Sequence, residues 1–124
     1  MKEDNNTTIN ELKEEVKIFI KKRNWEKYHN LKDLAESICI EAAELLEIFQ
    51  WRKIEEIEKL MEKEEFKIRI SEEIADIIIY LLSMSETAKI DIANAVLNKI
   101  KKNEEKYPIE KYFGKAHIND YKTS

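Results

Sequence analysis

Two stretches of the chain, Glu41-Ala42-Ala43-Glu44 and Glu73-Ile74-Ala75-Asp76, each hold two carboxylates three residues apart within runs that otherwise read as helix core. On an α-helix residues so spaced share a face, so each pair can aim both acids at one point. If the two helices pack side by side, the four carboxylates converge. Like charges gathered against apolar surroundings are unstable unless they take up protons or cations. Hard divalent ions with oxygen ligands, Mg²⁺ foremost, neutralise such a cluster and are commonly bridged to substrate phosphates. A solvated acidic face is the competing reading for either pair alone. Two pairs, both bordering or entering apolar stripes, favour the ion-binding one.

The remaining sequence supplies the helices. One Gly and one Pro in 124 residues leave few points for turns, and a composition of 39% charged and 43% hydrophobic residues suits long amphipathic helices. Thr8 followed by Glu11 forms a capping-box signature, and Ile9, Leu12, Val16, Phe19 and Ile20 then recur at helical spacing to about Lys22. A short aromatic connector with Trp25, Tyr28 and His29 follows. Asn30 with Asp33 caps a second helix over 31–51, whose stripe is Leu34, Ile38, Ala42, Leu45 and Phe49. Glu41 lies near the edge of that stripe and Glu44 somewhat further out. Residues 54–64 form a short connecting helix. The next long helix, 65–88, is apolar round most of its circumference from Ile74 to Leu82, which argues for a covered helix and hence an oligomer. On its wheel Glu73 falls inside the apolar arc between Tyr80 and Met84, with Asp76 beside it. Asp91 caps a last helix that carries Ile92, Val96, Leu97 and Ile100 and ends before Pro108. The expected organisation is a disordered start over 1–7, one domain over 8–108 and a loose tail over 109–124. The expected fold class is all-α, a four-helix-bundle type with a short connecting helix, oligomeric.

Several function classes are disfavoured. A formal charge of −4, with both signs interspersed, gives no footprint for polymeric nucleic acid. No run is long and apolar enough for a signal peptide or a membrane span, and a single cysteine allows no internal disulfide, so a soluble cytoplasmic protein is expected. Cys39 is expected to be a buried structural thiol. Di-iron chemistry calls for two Glu-x-x-His motifs; here only Glu26-Lys27-Tyr28-His29 fits, and it lies in the connector. Mg²⁺, with Mn²⁺ as a substitute, is the ion that all-oxygen ligands favour.

Four ordered blocks carry a family resemblance. They are Arg23-Asn24-Trp25-Glu26-Lys27-Tyr28-His29, the stretch from Glu41 through Glu44 and Glu47 to Gln50-Trp51-Arg52, the stretch from Glu73 through Asp76 to Tyr80-Leu81, and the stretch from Asn98-Lys99 through Asn103 to Lys106-Tyr107-Pro108. Over about residues 10 to 110 the chain resembles the MazG-like all-α nucleoside triphosphate pyrophosphohydrolases, and within them the dCTP pyrophosphatase branch. MazG domains proper carry two adjacent glutamates where this chain has Ile40-Glu41, a departure that agrees with the dCTP pyrophosphatase branch.

The resemblance implies hydrolysis of a (deoxy)nucleoside triphosphate, dCTP or a modified dCTP first, to the monophosphate and pyrophosphate. It implies Mg²⁺ held by Glu41, Glu44, Glu73 and Asp76 as the catalytic set, and a tetramer or dimer whose pockets are lined by more than one chain. It also marks Lys99, Asn103, Lys106 and Tyr107 as nucleotide contacts, against the plainer reading of a basic, solvated helix end. Trp25, His29 and Trp51 flank the second helix and suit stacking on a nucleobase or, alternatively, stapling helix ends to the core. Tyr80 shares the acidic face, as ligand contact or core tyrosine. Glu47 is a water-orienting candidate or a solvent-facing glutamate. The rival to catalysis is a helical oligomer that binds nucleotide or a protein partner without turnover.

Overall fold

The computed structural model describes residues 1–116; His117 and the end of the expected tail lie outside the described residues. All regular structure among the described residues is helical: α1 Ile9–Lys22, α2 Leu31–Phe49, α3 Ile54–Leu60, α4 Glu64–Ala88, α5 Ile92–Lys106 and α6 Ile109–Tyr112, with a 3₁₀ turn at Glu26–Tyr28. The all-α class and the sequence of four long helices with a short connector agree with expectation. The chain forms two compact units, residues 1–90 and the part from Asp91 onward.

In the first unit α2 and α1 both pack on α4. Its core comprises Ile20 of α1, Leu34 and Ile48 of α2, and Phe66 and Leu82 of α4, all buried. Full burial of one such side chain contributes roughly 1.5–3 kcal/mol, so these few contacts set the register of the three helices. Phe49 closes edge-on against Phe66 with ring centroids 6.2 Å apart.

The helix ends follow local chemistry. At α1 the Glu11 amide donates to Thr8 Oγ1 at 3.1 Å and the Thr8 amide to Glu11 Oε2 at 3.1 Å, a complete capping box. The Asp33 amide donates to Asn30 Oδ1 at 2.9 Å to open α2. At the other end of α4, Lys89 turns left-handed (φ 57°) and the Ile90 amide donates back to the Ser85 carbonyl at 2.8 Å. Lys13, only 8% exposed, reaches across from α1 and donates to the Ile90 carbonyl at 3.0 Å, placing a cation just past the negative end of α4.

Two expectations need correction. The second helix ends at Phe49 rather than Trp51, because Gln50 leaves helical geometry (ψ 139°) and Trp51 takes a positive φ of 68°. Arg52 Nε then donates to the Ile48 carbonyl at 3.0 Å and caps the freed end. Cys39 is exposed rather than buried. The packed side of α2 carries Leu34, Ile38, Leu45 and Ile48, and Cys39, about 100° on from Ile38, is turned off it.

In the second unit Asp91 Oδ1 accepts from the Asn94 amide at 2.8 Å to cap α5, which ends at Tyr107 before Pro108. Tyr107 and Tyr112 then meet edge-on at 5.1 Å. The short helix α6 lies in the stretch expected to be a loose tail. At the opposite terminus the Glu3 amide donates to Asn6 Oδ1 at 2.7 Å and forms a turn within the stretch expected to be disordered.

Candidate metal centre

Packing α2 on α4 brings the two acidic stretches together. One carboxylate oxygen each from Glu41, Glu73 and Asp76 lie within 4.8 Å of one another. Glu41 and Glu73 are half-buried and Asp76 is exposed, so the cluster opens to solvent on one side. Glu41 Oε2 and Glu73 Oε2 are themselves inaccessible and have no hydrogen-bond partner among the described residues. An orphaned buried carboxylate oxygen costs free energy, and two side by side cost more.

The crowding weakens Glu41 as an acid, its pKa being pushed up to about 7. Burial is the first cause; close contacts with the Glu73 and Glu44 carboxyls come next, then the charges of Glu44 and Asp76. Carboxylates carry no donor of their own, so a proton held among them, a bound water or a cation has to join these oxygens. The donor set fits a hard divalent ion: all oxygen, three residues from two rigid helices, and two lone oxygens without other partners. Glu44 is close enough to perturb Glu41, yet its oxygens are not among those that converge. Glu47 is exposed.

The expected substrate contacts fall into separate groups. His29 and Tyr80 stack, with ring centroids 6.3 Å apart and planes 27° from parallel. His29 Nδ1 lies 2.9 Å from Ser83 Oγ, and burial holds its imidazole below the ordinary value of 6.5. Trp25 packs edge-on against Phe19 at 5.9 Å, with the Arg23 guanidinium 3.8 Å above the Phe19 ring, and so ties the connector to α1. Trp51 is 93% exposed and touches no aromatic neighbour recorded among the described residues. Lys99, Asn103 and Lys106, at intervals of four and three, share one face of α5, and Tyr107 is its C-cap. They belong to the second unit.

Three polar residues escaped the sequence reading: Lys13, Ser83 and Thr87. Thr87 Oγ1 shares its single hydrogen between the Ser83 carbonyl at 3.1 Å and the His29 carbonyl at 3.3 Å, and so links the connector to α4. A serine inside an apolar helical run, three residues past Tyr80, was the available signal.

The MazG-like family model matches residues 36–117. The chain belongs to the MazG-like family. That match takes in all four acids, Trp51, Tyr80 and the α5 group, and begins after Trp25 and His29. Among characterised proteins, the MazG-like chain is 33% identical over 98 residues to dCTP pyrophosphatase 1 of Bos taurus, covering 79% of this chain and 58% of that protein. For dCTP pyrophosphatase 1 of Homo sapiens the figures are 31% over 90 residues, 73% and 53%. The chain therefore spans little more than half the length of these relatives. A solved pyrophosphatase from Archaeoglobus fulgidus DSM 4304 matches with a TM-score of 0.76 and 44% identity over 87% of this chain and 99% of its own. The MazG-like helical fold expected from the sequence is thus that of this chain.

Proposed function

We propose that this chain is a Mg²⁺-dependent nucleotide pyrophosphohydrolase, converting a (deoxy)nucleoside triphosphate, dCTP or a modified dCTP first, to the monophosphate and pyrophosphate. The observation that carries the reading is the meeting of Glu41, Glu73 and Asp76 with two buried carboxylate oxygens that lack any partner among the described residues. Family membership and the names of the relatives supply the reaction class. Residues 8–108 form the catalytic domain in this reading.

Glu41, Glu73 and Asp76, with Glu44 beside them, would hold the ion. When bound, a divalent cation screens the triphosphate from these acids and polarises phosphoryl oxygen and water. The chain's own part is then binding and orientation. Glu41 gives up its proton as it becomes a ligand, and the acids fix the phosphates on a rigid two-helix frame. Lys99 and Lys106 neutralise phosphate charge, with Asn103 and Tyr107 as further polar contacts. Trp25, Trp51, Tyr80 and His29 take the sugar and base, by stacking and by hydrogen bonds. The exposed apolar side chains of α2 and α4 support an oligomer, a dimer or tetramer, through which such groups reach one pocket. Among the described residues no helix is long and apolar enough to cross a membrane. A cytoplasmic location is part of the proposal.

The test is incubation of purified protein with Mg²⁺ and a panel of canonical and 5-modified dNTPs and NTPs, with products separated by anion exchange. Monophosphate with equimolar pyrophosphate from a cytosine nucleotide is the expected result. Metal-dependent binding without product would assign the fold to a nucleotide-binding role instead.

A further inference from the structure

Three residues of α4 hold His29, two by its ring and one by its backbone. Tyr80 stacks on it, Ser83 meets its Nδ1 at 2.9 Å, and Thr87 donates to its backbone carbonyl at 3.3 Å. At positions 80, 83 and 87 they occupy one face of the helix, so the imidazole is held by a rigid element rather than by its own connector. Its orientation is therefore set before any ligand arrives.

The direction of the His29–Ser83 hydrogen bond follows from hydroxyl bookkeeping. Ser83 is only 6% exposed, and a buried hydroxyl hydrogen needs an acceptor. The neighbouring hydroxyls find one in the helix backbone: Ser85 Oγ donates to the Leu82 carbonyl at 2.7 Å, and Thr87 Oγ1 to the Ser83 carbonyl at 3.1 Å. Ser83 Oγ makes no such bond among the described residues; His29 Nδ1 is its one side-chain partner. Ser83 therefore donates and Nδ1 accepts, which leaves the proton of a neutral imidazole on Nε2.

We propose that Ser83 is a positioning residue that locks His29 in the Nε2–H tautomer, so that the site takes a ligand offering a hydrogen-bond acceptor there, the carbonyl oxygen of a pyrimidine base. The inference rests on the reading of His29 as a base contact in a nucleotide pyrophosphohydrolase. A base that places an amino group against Nε2–H meets donor with donor and is rejected. Stacking on Trp25 or Trp51 does not give that discrimination, since the face of an aromatic ring offers the stacked base no hydrogen-bond donor.

The tautomer is read directly by ¹⁵N-edited NMR of the histidine rings in metal-free protein. There are only two histidines, so His117→Gln assigns the His29 signals. The wild type shows the Nε2–H pattern, Ser83→Ala shows a mixture of tautomers, and Ser83→Thr, which keeps the hydroxyl, restores the wild-type pattern. In steady-state kinetics, Ser83→Ala raises KM for dCTP by up to about tenfold with kcat little changed, and Ser83→Thr recovers most of the loss. The preference of the wild type for dCTP over its 2-thio analogue, a poor acceptor, shrinks in Ser83→Ala. An unchanged tautomer pattern in Ser83→Ala overturns the lock. A changed pattern with unchanged KM and unchanged 2-thio discrimination overturns the ligand assignment. Absence of any turnover by the wild type is a separate result: it removes the pyrophosphohydrolase reading and leaves the NMR outcome to decide the lock.

Discussion

Glu41 carries the largest electrostatic cost on the candidate site, and its consequences can be tested one residue at a time. Glu41→Gln and Asp76→Asn each remove a charge from the converging set while nearly preserving shape. Each should lower kcat/KM by at least about 10²–10³-fold, the loss seen when an electrostatic stabiliser is deleted, with the thermal midpoint of the metal-free protein not reduced. Product assays beside thermal melts check this; near-wild-type turnover in both variants would remove the metal assignment. The pH dependence has a definite sign. In the metal-free protein Glu41 is raised from 4.5 to about 7, so between those values the folded chain holds a proton that the unfolded chain has released. The Glu41 contribution to stability accordingly falls as pH rises through that window and is flat above it. Wild-type midpoints should drop relative to Glu41→Gln from pH 5 to pH 8. Cation binding must displace the same proton, so Mg²⁺ affinity should climb up to about tenfold per pH unit below 7 and level off above. Calorimetry in two buffers of different ionisation enthalpy measures the released proton, and a pH-independent affinity would contradict the shift.

At the scale of helices, what periodicity or a cap between residues three apart encodes was legible, and single side-chain contacts across the fold were not. Thr8 with Glu11, Asn30 with Asp33, and Asp91 each predict a helix start because the cap is a contact between residues three apart, wholly written in sequence. The convergence of Glu41 with Glu73 and Asp76 was legible because two helical periodicities each bring acids to an apolar edge. The end of α2 comes two residues before the periodicity predicts, since Gln50 and Trp51 leave helical geometry where no glycine or proline marks the turn. Lys13 and Ser83 could not be assigned from periodicity, because their partners lie 77 and 54 residues away. The same contrast gives a prediction. Thr8→Ala removes a local cap and should cost about 1 kcal/mol, a fall of roughly 4 °C in the melting midpoint. Lys13→Met should cost a comparable amount by leaving the Ile90 carbonyl without its cation, and hydrogen exchange should show the last turn of α4 opening more readily while the α2 amides are unaffected. Equal loosening of α2 would show that Lys13 acts through the whole core instead.

For the whole molecule the decisive quantity is how much apolar surface one chain leaves uncovered. On α2, Ile40 is 58% and Leu46 64% exposed, and Cys39 lies open beside Ile40; on α4, Ile74, Ile78, Ile79 and Leu81 are exposed as well. Scattered apolar side chains are ordinary on a monomer, but these line the two helices that also present the acids, and α4 shows them on several sides. A charge-rich chain with so small a buried core gains most by covering this surface with another copy of itself. Analytical ultracentrifugation at micromolar concentration should therefore give a dimer or tetramer mass. Cys39 adjoins Ile40, so alkylation of its thiol should be slow in the assembly and rise toward the rate of a free thiol once the assembly is broken. Leu46→Glu, which introduces a charge without touching the acids or the buried core residues, should lower the association state and accelerate Cys39 alkylation while circular dichroism stays helical. If nucleotide turnover falls with the mass, the pocket draws residues from more than one chain; if turnover survives in the dissociated variant, one chain suffices. A wild-type monomer whose Cys39 reacts at the free-thiol rate would refute the oligomer outright.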